Sequence, residues 1–323
     1  MSDLPADEKP DWAGWSKIFR DSVDEEVEFT NNHEDNFCRL APIISQHLHF
    51  VTRDYAASEC SLTNIELHLS DVWYACIMAG KHIRGRTSEP NTVVVALAGL
   101  KTSGPLQRLS QRYSPSQTLS AHNADQSITF SDGRTFWPEL PLFALTLIDE
   151  FMQHFHQPNY GAEFSFNSAT FVGRLVSVGI FDGPAICILS LFREALETPQ
   201  PLTTTVDIDD VTRMQSFEDR LHTLGQAIEC ANIGLALLAS NRSTTDKVDY
   251  TSFPQLSSLG ELASKASLDG SIPLGYSPGR WRFWVQRLEE LKQCGIENIE
   301  IHANQCLKKM SQVAEDTGLL LEY

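Results

Sequence analysis

Basic residues are scarce in this sequence. Its 323 residues include 25 Lys and Arg against 42 Asp and Glu, so the formal net charge is −17 and the isoelectric point lies near 4.9. A surface of that sign repels the phosphates of nucleic acids and the headgroups of anionic lipids. The composition therefore predicts neither nucleic acid nor a membrane surface as a partner.

The sequence also lacks paired cysteines and long apolar runs. Its seven cysteines are odd in number, and no two of them have the CxxC spacing of a zinc or redox site. We expect buried free thiols in a reducing compartment. No apolar stretch reaches the roughly 18 residues that span a bilayer, and the first 15 residues lack the basic and apolar regions of a signal peptide. These absences predict a soluble cytoplasmic protein without membrane insertion.

Familiar cofactor and catalytic signatures are missing as well. The sequence contains no GxGxxG after a strand pattern, no GxxxxGK[ST], no HExxH and no GxSxG. His154 and His156 are two residues apart and do not share a helix face, so they form a weak metal pair. The acidic run at 207–210 precedes a helical pattern and suits its N-terminus. We therefore predict no metal and no cofactor.

Apolar spacing of the helical type runs through most of the chain. The predicted fold is all-α: a single-domain helical bundle over 33–318, with one long irregular loop and a small hairpin around Asp132-Gly133. Residues 1–32 are expected to be a flexible arm with one short helix. The segment 91–104 could be a strand, but its helical neighbours favour a helix. Ser277 followed by Pro278 predicts the start of another helix.

One predicted helix carries a polar row within an apolar run. Glu229 and Asn232 are three residues apart in "AIECANIGLALLA", and Gln226 and His222 extend the same row. The row could line a pocket, with Glu229 and Asn232 as catalytic groups and Gln226 as a substrate contact. It could equally be the solvent face of an ordinary amphipathic helix. The sequence leaves both interpretations open.

Other candidates are aromatic or basic residues at helical spacing. His154 is a further catalytic candidate, because it borders an apolar row that includes Phe151. The predicted substrate contacts outside the polar row are Trp73, Phe151, Arg280, Trp281 and Trp284. Each of these residues could instead have a purely structural role. Aromatic residues at helical spacing usually pack in the core, and a histidine beside them usually hydrogen-bonds to a neighbouring group. Arg174 is expected to pair with a carboxylate such as Glu194 or Glu197.

Three segments together resemble a known family. They are "DVWYACIMAGKHI" (71–83), "FNSATFVGRLVSVGIFDGPAICILSLFREALE" (166–197) and "LGYSPGRWRFWVQRLEEL" (274–291). This pattern resembles a fungal family of helical proteins, long catalogued as a domain of unknown function, whose members sit beside secondary-metabolite gene clusters, including those for oxopyrrolidines. The family pattern often has a tryptophan where Phe166 precedes Asn167, so no role is transferred to that position.

The resemblance implies a function that composition alone does not. A subset of the family is similar to the hetero-Diels–Alderases of tropolone–sesquiterpene biosynthesis, which dehydrate a hydroxymethyl tropolone to an ortho-quinone methide and join it to humulene. The implied protein is a cofactor-free pericyclase whose partners are a tropolone and a sesquiterpene, with a homodimer as an open alternative. Two rival hypotheses are a non-catalytic scaffold or small-molecule-binding protein of a biosynthetic cluster, and a dehydratase or isomerase acting on another apolar metabolite.

Overall fold

The fold is known from a computed structural model. It describes residues 12–32, 40–57, 61–82, 89–106, 130–155, 162–200, 216–240, 253–267 and 275–318. Within these ranges every regular element is a helix and no strand occurs, so the predicted all-α class is confirmed. No helix among the described residues is long and apolar enough to cross a membrane.

Thirteen α-helices and one π-helical turn make up the described elements. In chain order they are α1 (Trp12–Asn32), α2 (Leu40–Ala57), α3 (Leu62–His82), α4 (Glu89–Thr102), α5 (Phe143–Phe155), α6 (Ala162–Ser177), α7 (Pro184–Phe192), the π turn (Arg193–Glu197), α8 (Phe217–Ala231), α9 (Ile233–Ser240), α10 (Pro254–Ser257), α11 (Glu261–Ala266), α12 (Pro278–Leu291) and α13 (Glu297–Thr317). The helix favoured over a strand for 91–104 is confirmed as α4. Contacts group the chain into a first unit, residues 1–79 and 99–146, and a second unit, residues 80–98 and 147–323.

Helix α1 is longer than the short helix expected within residues 1–32. Residues 12–32 form one helix whose Val23 and Val27, four residues apart, are buried. Asp71 of α3 also holds α1 in place. Its Oδ1 accepts hydrogen bonds from Ser16 Oγ at 2.6 Å and Arg20 Nε at 2.8 Å. Two buried apolar side chains and two hydrogen bonds to Asp71 thus hold a helix whose sequence is mostly polar.

The structure describes the turn of the predicted hairpin. Gly133 has a φ of +78° and donates its N–H to Phe130 O, while Asp132 accepts hydrogen bonds from the N–H groups of Arg134 and Leu142. After Gly133, Thr135 forms an isolated β-bridge and the chain then continues through further turns. Residues 126–129, the first half of the predicted hairpin, lie outside the described residues. Glycine adopts a positive φ without steric cost, which is why the Asp132-Gly133 pair forms the turn predicted from the sequence.

Acidification is expected to weaken the packing of α1 in the first unit. The His47 ring lies 4.1 Å from the Phe19 ring of α1, and burial lowers the pKa of both His47 and the neighbouring His68. The folded state thus favours neutral imidazoles, so their stabilising contribution is present above a pH of about 6.5 and is lost as the pH falls through the lowered values. Urea unfolding between pH of about 7.5 and 5 would measure this. A His47→Gln, His68→Gln double variant should show a flatter pH dependence, and an unchanged slope would contradict the assignment.

The second unit is built around α7. All nine of its residues, Pro184–Phe192, are buried, because a helix that is apolar on every face belongs in the interior. Helix α12 begins as the sequence predicted: Ser277 Oγ accepts a hydrogen bond from Arg280 N at 3.1 Å, and Pro278 occupies the first helical position. This start brings the side chains of α12 into the core beside the π turn that follows α7.

Candidate functional site

Glu197, at the end of the π turn, forms the centre of a buried polar network. Its Oε1 accepts hydrogen bonds from Arg280 Nε at 2.6 Å and Trp284 Nε1 at 2.7 Å, and its Oε2 accepts from Arg280 NH2 at 3.0 Å and Gly260 N at 2.7 Å. The side chains of Glu197 and Arg280 are both fully buried. Four hydrogen bonds compensate the buried carboxylate, as a charge in a core requires. Glu197 therefore pairs with Arg280, and of the two carboxylates suggested as partners of Arg174 only Glu194 remains a prediction.

Arg280 has no donor left for a ligand. NH1 donates to Ser257 O and Gly275 O, and NH2 donates to Ser258 O as well as to Glu197. With the Nε bond, these contacts use all five N–H groups of the guanidinium. The arrangement ties the turns around α10 and α12 to the end of α7, which is a structural role.

The neighbouring tryptophans lie in the same core. Trp284 stacks on Phe192 with ring centroids 4.0 Å apart, and Trp281 is completely buried beside it. Trp73 of the first unit is also completely buried and donates its Nε1–H to Pro141 O at 2.8 Å. The structure thus places these three predicted substrate contacts in packed cores. Phe151 is buried too, and His154 lies on α5 with its side chain outside the described part of the chain.

The polar row on α8 borders an open cleft. Glu229 is paired with Lys309 Nζ of α13 at 2.5 Å, and the two side chains are 60% and 29% exposed. Gln226 Nε2 contacts Cys230 Sγ at 3.2 Å, and Asn232 is exposed at the end of α8. A cleft of about 360 Å³ is lined by Leu221, His222, Gly225, Gln226, Glu229, His302, Gln305 and Lys309. The row is therefore both a cleft wall and a solvent face, and Asn232 is not part of the lining.

A second polar group lies in the interior of the second unit. Lys81 Nζ donates to Glu150 O at 2.9 Å and to Glu150 Oε2 at 3.1 Å, and the two side chains are only 2% and 13% exposed. The Phe164 ring lies 5.6 Å from the same nitrogen. Burial lowers the pKa of Lys81 to about 8, although the Glu150 carboxylate acts in the opposite direction. Lysines whose pKa is lowered by burial are more typical of functional sites than of ion pairs on the surface.

Helix α6 runs alongside the end of α3 that carries Lys81. A Cβ atom on Gly80 would lie 2.3 Å from the Phe171 ring, so glycine permits this close approach. Phe164, Ser168 and Phe171 recur at helical spacing and share one face of α6. The Ser168 hydroxyl on that face is buried and has no hydrogen-bond partner among the described residues. The face toward Lys81 thus offers an uncompensated hydroxyl, which is costly unless something binds it.

Replacement of Gly80 by alanine tests this close approach. The new methyl group would overlap the Phe171 ring, so either that ring or the backbone at Gly80 would have to shift. Overpacking of this kind costs about 1–3 kcal/mol, so we expect the free energy of unfolding to fall by that amount in denaturant titrations. Gly99→Ala is the matched control, because a Cβ at Gly99 meets nothing within 4 Å. Equal stability of the two variants would contradict the packing described here.

Cys187 of α7 completes the interior group. Its side chain is buried, and burial raises the pKa of its thiol well above the ordinary value, with the positive charge of Lys81 acting in the opposite direction. We call Lys81, Glu150, Phe164, Ser168 and Cys187 the Lys81 cluster. Four helices, α3, α5, α6 and α7, each supply at least one of its members. Among the described residues no group of three or more His, Cys, Asp or Glu side chains is arranged to hold a metal ion.

Comparison with known proteins places the chain in a family. The model of DUF3632, described as a protein of unknown function, matches residues 73–288, about two thirds of the chain. The chain belongs to the DUF3632 family. It is also 26% identical over 277 residues to oxopyrrolidines biosynthesis cluster protein G of Penicillium oxalicum, an alignment that covers 82% of this chain and 72% of that protein. No solved structure matches significantly.

The range shared with the DUF3632 family separates the two polar sites. Every member of the Lys81 cluster lies within residues 73–288, whereas His302, Gln305 and Lys309 of the cleft lie beyond them. Neither Lys81 nor Glu150 is among the candidate residues predicted from the sequence. The available signal was a lysine at the end of the apolar run "DVWYACIMAGK", where a charge has to be compensated by a distant partner.

Proposed function

We propose that this protein is an enzyme of fungal secondary metabolism that acts on a small-molecule intermediate at the Lys81 cluster. The relative from Penicillium oxalicum, named for an oxopyrrolidine cluster, supports the pathway class. The single observation that carries the enzymatic assignment is the buried pair of Lys81 and Glu150, because ionisable groups in desolvated surroundings are the usual means of proton transfer in active sites.

The pair has the properties that proton transfer needs. With a pKa near 8, Lys81 is partly neutral at physiological pH, and its neutral amine can accept a proton. Glu150 is hydrogen-bonded to the amine, and its side chain is 13% exposed, so it can relay that proton toward solvent. The hydrophobic surroundings of Phe164 limit access of bulk water. The cluster can therefore remove a proton from an acidic hydroxyl and return one to a departing hydroxyl.

The more specific proposal is the hetero-Diels–Alderase activity suggested by the family resemblance. Dehydration of a hydroxymethyl tropolone needs a base at the ring hydroxyl and an acid at the departing hydroxyl, which the Lys81–Glu150 pair can supply in turn. The ortho-quinone methide then has to meet the alkene before water adds to it, so enclosure and alignment of the reactants matter most. Interior placement of the cluster supports this reaction more than the open cleft does.

The direct test is to incubate the purified protein with a hydroxymethyl tropolone and humulene. An adduct formed faster than the background and with one stereoisomer in excess would support the pericyclase. Only the racemic background adduct would overturn it. Because water adds to the quinone methide to regenerate the hydroxymethyl tropolone, exchange of its hydroxymethyl oxygen with ¹⁸O-labelled water, without adduct, would instead favour a dehydratase. No turnover and no exchange would favour the non-catalytic scaffold.

The same assay locates the site. Glu229→Gln tests the cleft, where the sequence placed a catalytic carboxylate, and Ser168→Ala tests the Lys81 cluster. We expect the Ser168 variant to lose more turnover than the Glu229 variant, because Glu229 is largely exposed and already paired with Lys309. Loss of turnover in Glu229→Gln, with Ser168→Ala unaffected, would move the site to the cleft. Circular dichroism of both variants controls for folding.

A further inference from the structure

We propose that Lys81 is a nucleophilic amine that binds small aldehydes or ketones covalently, as an imine. This inference rests on the proposed function in one respect: it uses the same interior site. It adds the substrate class, a compact carbonyl compound, and a covalent role for one atom, Lys81 Nζ. Nothing in the acid–base assignment requires that bond, so the two can be tested separately.

Burial selects the amine over the thiol as the nucleophile. Desolvation favours the neutral form of every ionisable group. The neutral form of a lysine is its nucleophilic form, whereas the neutral form of a cysteine is its unreactive form. In this cluster burial lowers the pKa of Lys81 and raises that of Cys187. The same surroundings therefore activate Lys81 and keep Cys187 inert.

Two other paired cations of the second unit, Arg280 and Lys309, do not have these properties. Arg280 is as buried as Lys81, but its guanidinium stays charged and all of its donors are used. Lys309 is also paired with a carboxylate, but both partners of that pair are substantially exposed, so water solvates the ammonium form. Among these three cations, Lys81 alone combines nearly complete burial with an amine that can lose its proton.

Imine formation at this position balances without any oxidant or reductant. The Nζ lone pair adds to the carbonyl carbon, a C–N bond forms, and the C=O π bond breaks onto oxygen. Glu150 transfers the proton lost from nitrogen to that oxygen, giving a carbinolamine. The carbinolamine hydroxyl then leaves as water after taking a second proton through Glu150, and the C=N bond forms. Addition of water reverses the sequence and releases the carbonyl compound.

The surrounding residues favour a small ligand. Phe164 lies 5.6 Å from the amine and is only half-buried, so a rotation of its side chain opens a path from solvent. Ser168 follows Phe164 by one turn of α6, and its buried hydroxyl has no hydrogen-bond partner among the described residues, so we assign it as the donor to the carbonyl oxygen. A one-ring aldehyde is the carbonyl compound that we use as a probe of this site.

Reductive trapping tests the proposal. The full-length protein is incubated with limiting benzaldehyde and sodium cyanoborohydride, which reduces imines and spares aldehydes, and the labelled lysines are identified by peptide mass spectrometry. We expect Lys81 to be labelled at least about tenfold faster than the exposed Lys265 at a pH of about 8. Its labelling rate should rise with pH through about 8. Labelling confined to exposed lysines, or a midpoint for Lys81 near the ordinary value of about 10.4, would overturn the proposal.

Variants separate reactivity from folding. Lys81→Arg keeps the charge beside Glu150 and should abolish the adduct at this position, whereas Lys265→Arg should leave labelling of Lys81 unchanged. Phe164→Ala opens the path to the amine and should raise the labelling rate about tenfold. A rate for Lys81 that does not respond to Phe164→Ala would contradict the access route and, with it, the interior imine.

Turnover measured without reductant distinguishes this inference from the proposed function. Wild-type turnover with no trapped Lys81 adduct would overturn the imine and leave the acid–base function standing. A trapped Lys81 adduct with no turnover of any hydroxylated substrate would support the imine and overturn the function proposed above.

Discussion

Glu197→Ala is expected to lower the free energy of unfolding by about 3–5 kcal/mol, because removal of one partner leaves a buried charge uncompensated. The change strands the Arg280 guanidinium, the indole N–H of Trp284 and the N–H of Gly260 in a core that water does not reach. Urea titration followed by tryptophan fluorescence would measure the effect. Since Trp284 lies in the network, its fluorescence also reports local loosening.

A surface ion pair provides the matched control for this change. Glu261→Ala removes the partner of Lys265 in a pair whose side chains are 56% and 70% exposed. Exposed pairs contribute about 0–1 kcal/mol, so the stability of this variant should stay close to that of the wild type. A double variant, Glu197→Leu with Arg280→Met, should recover part of the loss, because a well-packed apolar replacement leaves no buried charge behind. If Glu197→Ala is no more destabilising than Glu261→Ala, the network does not hold the core.

Local signals explain the parts of the fold that the sequence predicted. The start of α12 follows from Ser277 and Pro278, two adjacent residues whose preferences act within one turn of helix. The helical assignment of α4 followed from the periodicity of its neighbours, although its own valines favour a strand. All-α architecture needed only the spacing of apolar residues, which each segment carries by itself.

Long-range partners explain what was missed. Helix α1 has a polar sequence, and its docking depends on Asp71, which is more than 50 residues away from Ser16. Glu197 and Arg280 are 83 residues apart, and no local pattern indicates that they meet. The Glu229 row was recognised as a pattern, but exposure depends on which helix faces it, here α13 with Lys309. Spacing patterns within one sequence do not indicate which distant residues come into contact.

Lys81 combines a local signal in the sequence with partners that are distant in the chain. Its position at the end of a buried helical run could be read from the sequence. Its burial beside Glu150 of α5 and Phe164 of α6, which are distant in the chain, could not. Glu229 was predicted as the catalytic residue because a carboxylate within an apolar run is as unusual in a sequence as a lysine there. The difference between them is burial: Glu229 turns to solvent beside a lysine, whereas Lys81 turns inward beside a carboxylate.

Lys81→Met is expected to lower kcat/KM by about 10²–10⁴, the usual contribution of a positioned general acid or base. In the wild type kcat/KM should rise with pH through about 8, because Lys81 acts as a base only after it has lost its proton. That rise should be absent from the variant, whose residual rate depends on solvent alone. The measurement is the pH profile of adduct or dehydration product formed from the hydroxymethyl tropolone.

Lys81→Arg distinguishes a proton-transfer role from a structural one. Arginine keeps a positive charge beside Glu150, but it does not give up its proton at any accessible pH. If Lys81 serves only to compensate the Glu150 carboxylate, the Arg variant should retain turnover and stability while the Met variant loses both. If Lys81 is the base, both variants should lose turnover to a similar extent, with the Arg variant as stable as the wild type. Full turnover with an unchanged pH profile in Lys81→Arg would therefore exclude proton transfer by Lys81, because no neutral base would remain at that position.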